Sequence, residues 1–206
     1  MGLFDIFKKK DVAPNSEPTI DENQLDEVAA YRAKDHQVIK ALEVKHLVKD
    51  TWYREGTVYC KLWDKDIKVS VYDDDTLEYA DKCIEAMNNM PQELVDAICK
   101  AAKKYCNSFR DEIGDMLEED MTVPIDESSS NSEIMQCFEP NVLIIDTPEE
   151  PLVVGYQLEC SCDWEVEHGM EIDILDDILV NLSSFDGGSP WLDYSDDEWN
   201  YALVTE

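Results

Sequence analysis

The chain has 206 residues, 44% of them hydrophobic, and a formal net charge of −31. That apolar content suits a packed core and excludes a disordered acidic tail. No apolar run approaches the roughly 18 residues that span a bilayer, and the charge opposes binding to nucleic acid or to an anionic membrane.

The charge is unevenly placed. All 17 Lys and Arg and 21 of the 48 acids lie in residues 1–110, so the other 27 acids stand in residues 111–206 with no Lys or Arg among them. Such a field attracts cations and basic proteins. Its plainer reading is solubility alone. Seven cysteines, an odd number, with no export signal, fit a reducing cytoplasm rather than a disulfide framework.

Residues 1–20 read as a flexible arm and linker, and residues 21–206 as one α+β domain. In "MGLFDIFKKK" the apolar residues Leu3, Phe4, Ile6 and Phe7 precede three lysines. So short a segment gives no stable membrane association, and Ile6 stands where a myristoylation pattern needs Ser or Thr. "DVAPNSEPTI" has two prolines and no period. A helix is expected over residues 21–34, with Leu25, Val28, Ala29 and Arg32 on one face. Residues 37–49 fit neither period cleanly and lean to strand after Leu42.

"TVYCKLW" and "IKVSVY" both alternate, and "DKD" (residues 64–66) between them is turn chemistry, so a β-hairpin is expected. Two helices follow. Asp75 with Glu78 suits a capping box. Leu77, Ala80, Ile84 and Met87 form the first helix's apolar stripe. "NNMP" ends that helix, and Pro91 opens the second. There Leu94, Ile98, Ala101 and Tyr105 lie beside a second stripe of Val95, Cys99, Ala102, Cys106 and Phe109, and Gly114 suits its end. Residues 115–139, acidic and Ser-rich, read as loop. "NVLIID" (residues 141–146) reads as a short strand.

From Val154 the alternation is strict. Tyr156, Leu158, Cys160, Cys162 and Trp164 share one side, which is expected to be the core. Zinc ligands are usually spaced two to four apart in a loop, so these cysteines read as small core hydrophobes rather than as a metal or redox site. "EHG" (residues 167–169) reads as a turn, with His168 a polar turn residue. Residues 176–177, two aspartates, make a tight turn before "ILVNLSSF". Residues 152–185 are therefore expected as a three-stranded antiparallel meander. Its outer face would carry Glu159, Asp163, Glu165, Glu171 and Asp173. Like charges side by side destabilise a sheet unless a cation or basic partner relieves them at close range.

The Gly-rich "FDGGSPWLDY" lacks the lysine of a phosphate loop. "DYSDDE" (residues 193–198) lacks the glycine and the spaced terminal Glu of a calcium loop. Trp191, Tyr194, Trp199 and Tyr201 crowd this end. Aromatics among acids form interface hot spots or else cover a sheet edge.

With "YADKCIEAMNN", "KKYCNSF" and "ECSCDWEVEHGMEI…FDGGSPW", the chain resembles an uncharacterised family of bacterial cytoplasmic α+β proteins of unknown function, often found near candidate toxin-immunity genes. The resemblance covers residues 52–191 and implies no catalytic residues. Where that family carries an aromatic and basic residues, this chain has Ile172 and residues 176–177, both Asp.

The expected fold is thus an antiparallel sheet, built from an N-terminal hairpin and a C-terminal meander, with two central helices packed on one face. The expected function is a non-enzymatic, immunity-like acidic protein that neutralises a basic protein partner such as a toxin. Its contacts would be Glu159, Asp163, Glu165, Glu171, Asp173, Trp191 and Tyr194, with no cofactor and no metal. The alternatives are a metal-dependent enzyme using clustered acids with His168, and a housekeeping domain with no specific partner.

Overall fold

Two alternating stretches close a tight hairpin at the start of the described chain. β1 (Tyr53–Cys60) pairs antiparallel with β2 (Lys65–Tyr72). Asp64 in the connecting turn adopts φ 52°, a conformation that Asp tolerates better than most residues. Leu62, expected to extend the strand, lies exposed in that turn. The computed structural model describes residues 53–72, 77–113 and 123–203. The expected arm, the helix over residues 21–34, the strand after Leu42, the cap at Asp75 and the end at Gly114 lie outside the described residues.

Helices α1 (Leu77–Asn88) and α2 (Gln92–Ile113) come next. Ala80, Cys83 and Met87 of α1 are buried, as are Leu94, Ile98, Ala102, Tyr105 and Cys106 of α2, along the expected stripes. The loop expected over residues 115–139 contains a further turn of helix, α3 (Asn131–Ile134). Its signal is a capping box: Ser130 Oγ accepts from the Glu133 N–H, and the Glu133 carboxylate accepts from the Ser130 N–H.

β3 (Phe138–Ile145) starts three residues earlier than its apolar run suggests, with Pro140 tolerated at a bulge. β4 (Gly155–Cys162), β5 (Met170–Leu175) and β6 (Ile178–Ser184) follow. The six strands lie in sequence order, β1-β2-β3-β4-β5-β6. An antiparallel sheet was expected throughout, but β2 and β3 run parallel. The connection, which includes three helices, carries the chain back to the end of the sheet at which β2 began, so β3 runs alongside β2 in the same sense. The β5–β6 turn has φ 49° at Asp176 and φ 60° at Asp177. Two positive φ values are what the twist of a two-residue hairpin demands.

Buried residues of the strands and of the two longer helices belong to one core cluster. The Tyr79 O–H of α1 donates to the Gly155 carbonyl at 3.0 Å, and the same hydroxyl accepts from the Gly155 N–H. Tyr105 of α2 packs edge-on against Trp164 at 5.7 Å and stacks on Tyr201 at 5.0 Å. β6 would otherwise leave a bare edge. Instead Asn200 Nδ2 donates to the Val180 carbonyl at 2.7 Å, Asn200 Oδ1 accepts from the Leu182 N–H at 3.2 Å, and the Tyr201 N–H donates to the Leu182 carbonyl at 2.9 Å. The side-chain amide of Asn200 thereby stands in for a strand.

Candidate functional site

Cys160 and Cys162 are buried with Leu158 and Trp164, on the core side where period two places them. The alternate row holds the unexpected chemistry. Across β4, β5 and β6, Gln157 faces Asp173 and Asp173 faces Asn181, while Glu159 faces Glu171 and Glu171 faces Ser183. Asp173 is 0% exposed and Glu171 1%. These two acids were expected on an open anionic face, and the structure corrects that. Residues 185–201 fold back as a strap: the part up to Tyr194 lies over this side of the ribbon and encloses both carboxyls, and Asn200 and Tyr201 then run along the β6 edge toward α2.

The other expected contacts disperse. Glu159 is half-buried, Asp163 is exposed beyond the end of β4, and Glu165 is half-buried in the turn over residues 163–169. No open five-acid sheet face forms. Trp191 turns inward: a Cβ on Gly155 would stand 2.9 Å from its Cζ2, so glycine there lets the indole lie against β4. Tyr194 also turns inward and is half-buried. His168 is exposed, with Nδ1 3.4 Å from Glu165 Oε2. Among the described residues no group of three or more His, Cys, Asp or Glu is placed to hold a metal ion.

The strap is tied down at Glu171. The N–H groups of Asp186, Gly187 and Gly188 each donate to Glu171 Oε2 at 3.2 Å. Consecutive amides of this kind form an anion-binding nest, and here the anion is the chain's own carboxylate. Gly188 is required by the close approach, because a Cβ there would lie 2.8 Å from Glu171 Oε1 and tighter still against the Tyr194 hydroxyl. Asn181 Nδ2 reaches Glu171 Oε1 at 2.9 Å and Asp173 Oδ2 at 3.0 Å. Gln157 Nε2 reaches Asp173 Oδ1 at 3.0 Å. The Tyr194 O–H lies 3.0 Å from Asp173 Oδ2. At the rim, the Ser189 O–H donates to Asp146 Oδ2 at 2.6 Å.

Among the described residues, no Lys, Arg or His forms an ion pair with either carboxyl. Burial, reinforced by the charge of Glu171, pushes Asp173 up to about 7. Burial also raises Glu171, against the pull of the three strap amides. The charge on Glu171 thus disfavours ionisation of Asp173 beside it.

Gln157, Asn181, Ser183 and Gly188 were not singled out from the sequence. Their signal was faint: Asn181 interrupts an apolar strand, and a glycine pair sits next to aromatics that must pack somewhere. The strap's outer surface is different. Leu192, Asp193, Asp196, Asp197, Glu198 and Trp199 are exposed there. Asp193 Oδ1 accepts from the Ser195 N–H and Asp197 Oδ1 from the Trp199 N–H, which sets these side chains in short turns.

Fold and site together define an α+β domain whose six-stranded, mostly antiparallel sheet is closed on one side by a C-terminal strap over buried carboxyls. Residues 38–189 match a domain of unknown function, DUF6985, and the chain belongs to that family. The match takes in Glu171, Asp173 and Gly188 and ends before Tyr194 and Trp199. No curated protein and no solved structure matches the chain.

Proposed function

We propose that the protein is a non-enzymatic acidic binding module that captures a basic protein partner, with the outer surface of the strap as the contact. The observation that carries this reading is Trp199. It is 52% exposed and follows Asp196, Asp197 and Glu198, in a half-chain with no Lys or Arg. An exposed indole ringed by one sign of charge is the composition of an interface hot spot with a steering rim. Leu192, 56% exposed, adds apolar area beside it. Immunity-type neutralisation of a basic toxin is the particular form of this reading that the charge favours.

The contact therefore moves from the sheet face, where Glu171 and Asp173 are enclosed, to the strap's acids and Trp199. The test is affinity capture from cells of the source organism with the full chain as bait, at about 0.05 M and about 0.5 M salt. Expected is one basic protein, retained at low salt and released at high salt. It should be lost with Trp199→Ala and weakened when Asp196, Asp197 and Glu198 become amides. Capture that ignores both salt and these substitutions refutes the proposal.

A further inference from the structure

The Tyr194 hydroxyl has one hydrogen and two lone pairs. It stands 3.0 Å from three partners: the Ser189 N–H, the Ser189 carbonyl and Asp173 Oδ2. The Ser189 N–H takes one lone pair. With Asp173 ionised, the single hydrogen is shared between two acceptors, each of which has one other donor: the Leu192 N–H on the Ser189 carbonyl and Asn181 Nδ2 on Asp173. With a proton on Asp173 Oδ2 the set closes: Asp173 donates to Tyr194, and Tyr194 donates to the Ser189 carbonyl. Nearby, Asn181 Nδ2 offers two hydrogens to three oxygens, Glu171 Oε1, Asp173 Oδ2 and Ser183 Oγ. A protonated Asp173 Oδ2 has less need of one, which eases that shortage too.

We propose that the part of the strap over the carboxyls, residues 185–194, is a pH-sensitive latch, closed while the Glu171–Asp173 pair holds one proton and loosened when that proton leaves. Among the described residues, the groups facing the pair offer no cation to replace it. They are Gln157 and Glu159 on β4, Asn181 and Ser183 on β6, and Asp186 and Tyr194 on the strap, with Asp146 at the end of β3 acting through Ser189. Loss of the proton leaves two like charges enclosed on adjacent alternate positions of one strand, a state whose relief is to admit water. Ionisation strengthens the amide hydrogen bonds to Glu171, so the drive to open is the cost of enclosing a second charge, and the strap is the element that yields because it is the cover that keeps water from both carboxyls. The midpoint falls near neutrality, where burial places Asp173.

The test is amide hydrogen exchange on the full chain, corrected for the intrinsic effect of pH. Protection of Gly187, Gly188 and Ser189 should fall at least about tenfold between about pH 6 and about pH 8.5, while β4 amides such as Leu158 hold. Asp173→Asn, which stays neutral and can still donate to Tyr194, should keep the strap amides protected across that range. Should Asp173→Asn fail to fold, the carboxyl carbon-13 shift of Asp173 in the wild-type protein decides instead. Titration near neutrality supports the latch, and titration below about pH 5 overturns it. Strap protection that is flat with pH, or that falls equally in Asp173→Asn, overturns it as well.

Discussion

The two sides of the β4–β6 ribbon are both closed to water, by opposite means. Toward the helices the ribbon offers Leu158, Ile172 and Leu182, all 0% exposed, with Cys160 at 2%. Toward the strap it offers Gln157, Glu171, Asp173 and Asn181, none more than 1% exposed. Apolar burial is non-directional and independent of protonation. Polar burial holds only while each donor finds its acceptor. One side of the same three strands is therefore a fixed foundation, and the other is conditional.

The largest effect should come from the fixed side. Leu158→Ala removes a fully buried side chain from the middle of β4 and should destabilise by about 3 kcal/mol, within the usual range of about 2–5. Because no titrating group is involved, the loss in urea denaturation should be the same at about pH 5 and about pH 8. A loss that differs strongly between the two would mean that the sides are coupled.

The conditional side should instead show its effect as a pH slope. Asp173 sits at about 7 in the folded chain against an ordinary 3.8. Between those values the folded chain holds a proton that the unfolded chain has released, so stability falls as pH rises. The contribution is complete below about pH 4 and gone above about pH 7, and its size is a few kcal/mol. Self-repulsion from the net charge of −31 slopes the same way. The difference between wild type and Asp173→Asn in high salt isolates the Asp173 part. Parallel denaturation midpoints from about pH 5 to about pH 8 would remove Asp173 from the account.

How far these two sides were legible follows from the same contrast. Period two placed Cys160, Cys162 and Trp164 together with Leu158, and a row that apolar can only be core. The aspartates at residues 176–177 announced their turn. Glu171 and Asp173 misled because alternation tells which residues oppose the core, not whether something else covers them. That depended on where residues 185–201 travel, a long-range contact with no local period. The parallel β2–β3 pair was hidden for the same reason: strand direction is decided by a crossover, not by the strand's own residues. Ser130 and Glu133 were readable as a capping box but were submerged in an acidic stretch.

A smaller effect tests the strap's fit rather than its charge. Gly188→Ala sets a methyl against Glu171 Oε1 and the Tyr194 hydroxyl. Overpacking of this kind costs about 1–3 kcal/mol, and the strap can lift to relieve it, so the lower end is expected. Exchange of the Gly187 and Ser189 amides should quicken while Leu158 stays protected. Loss of protection at Leu158 to the same degree would show that the strap is part of the foundation and not a layer upon it.

The smallest effect concerns the thiols and separates the two sides most cleanly. All seven cysteines lie in the described residues and are free, and six are buried while Cys137 is half-exposed. Burial raises each of the buried thiols: Cys83 to about 12, Cys162 to about 12, and Cys160 well above its ordinary value. Reactivity needs a thiolate and access, so a disulfide reagent at about pH 8 should modify Cys137 in the native chain and leave the rest until unfolding. Cys160 and Cys162 lie on the helix side, beneath the same strands that carry Glu171 and Asp173 on the other. Raising the pH to about 9 should therefore free the strap amides without exposing Cys160. If Cys160 becomes reactive at the pH where the strap loosens, alkaline conditions open the whole ribbon, and one cooperative unit replaces the fixed and conditional sides.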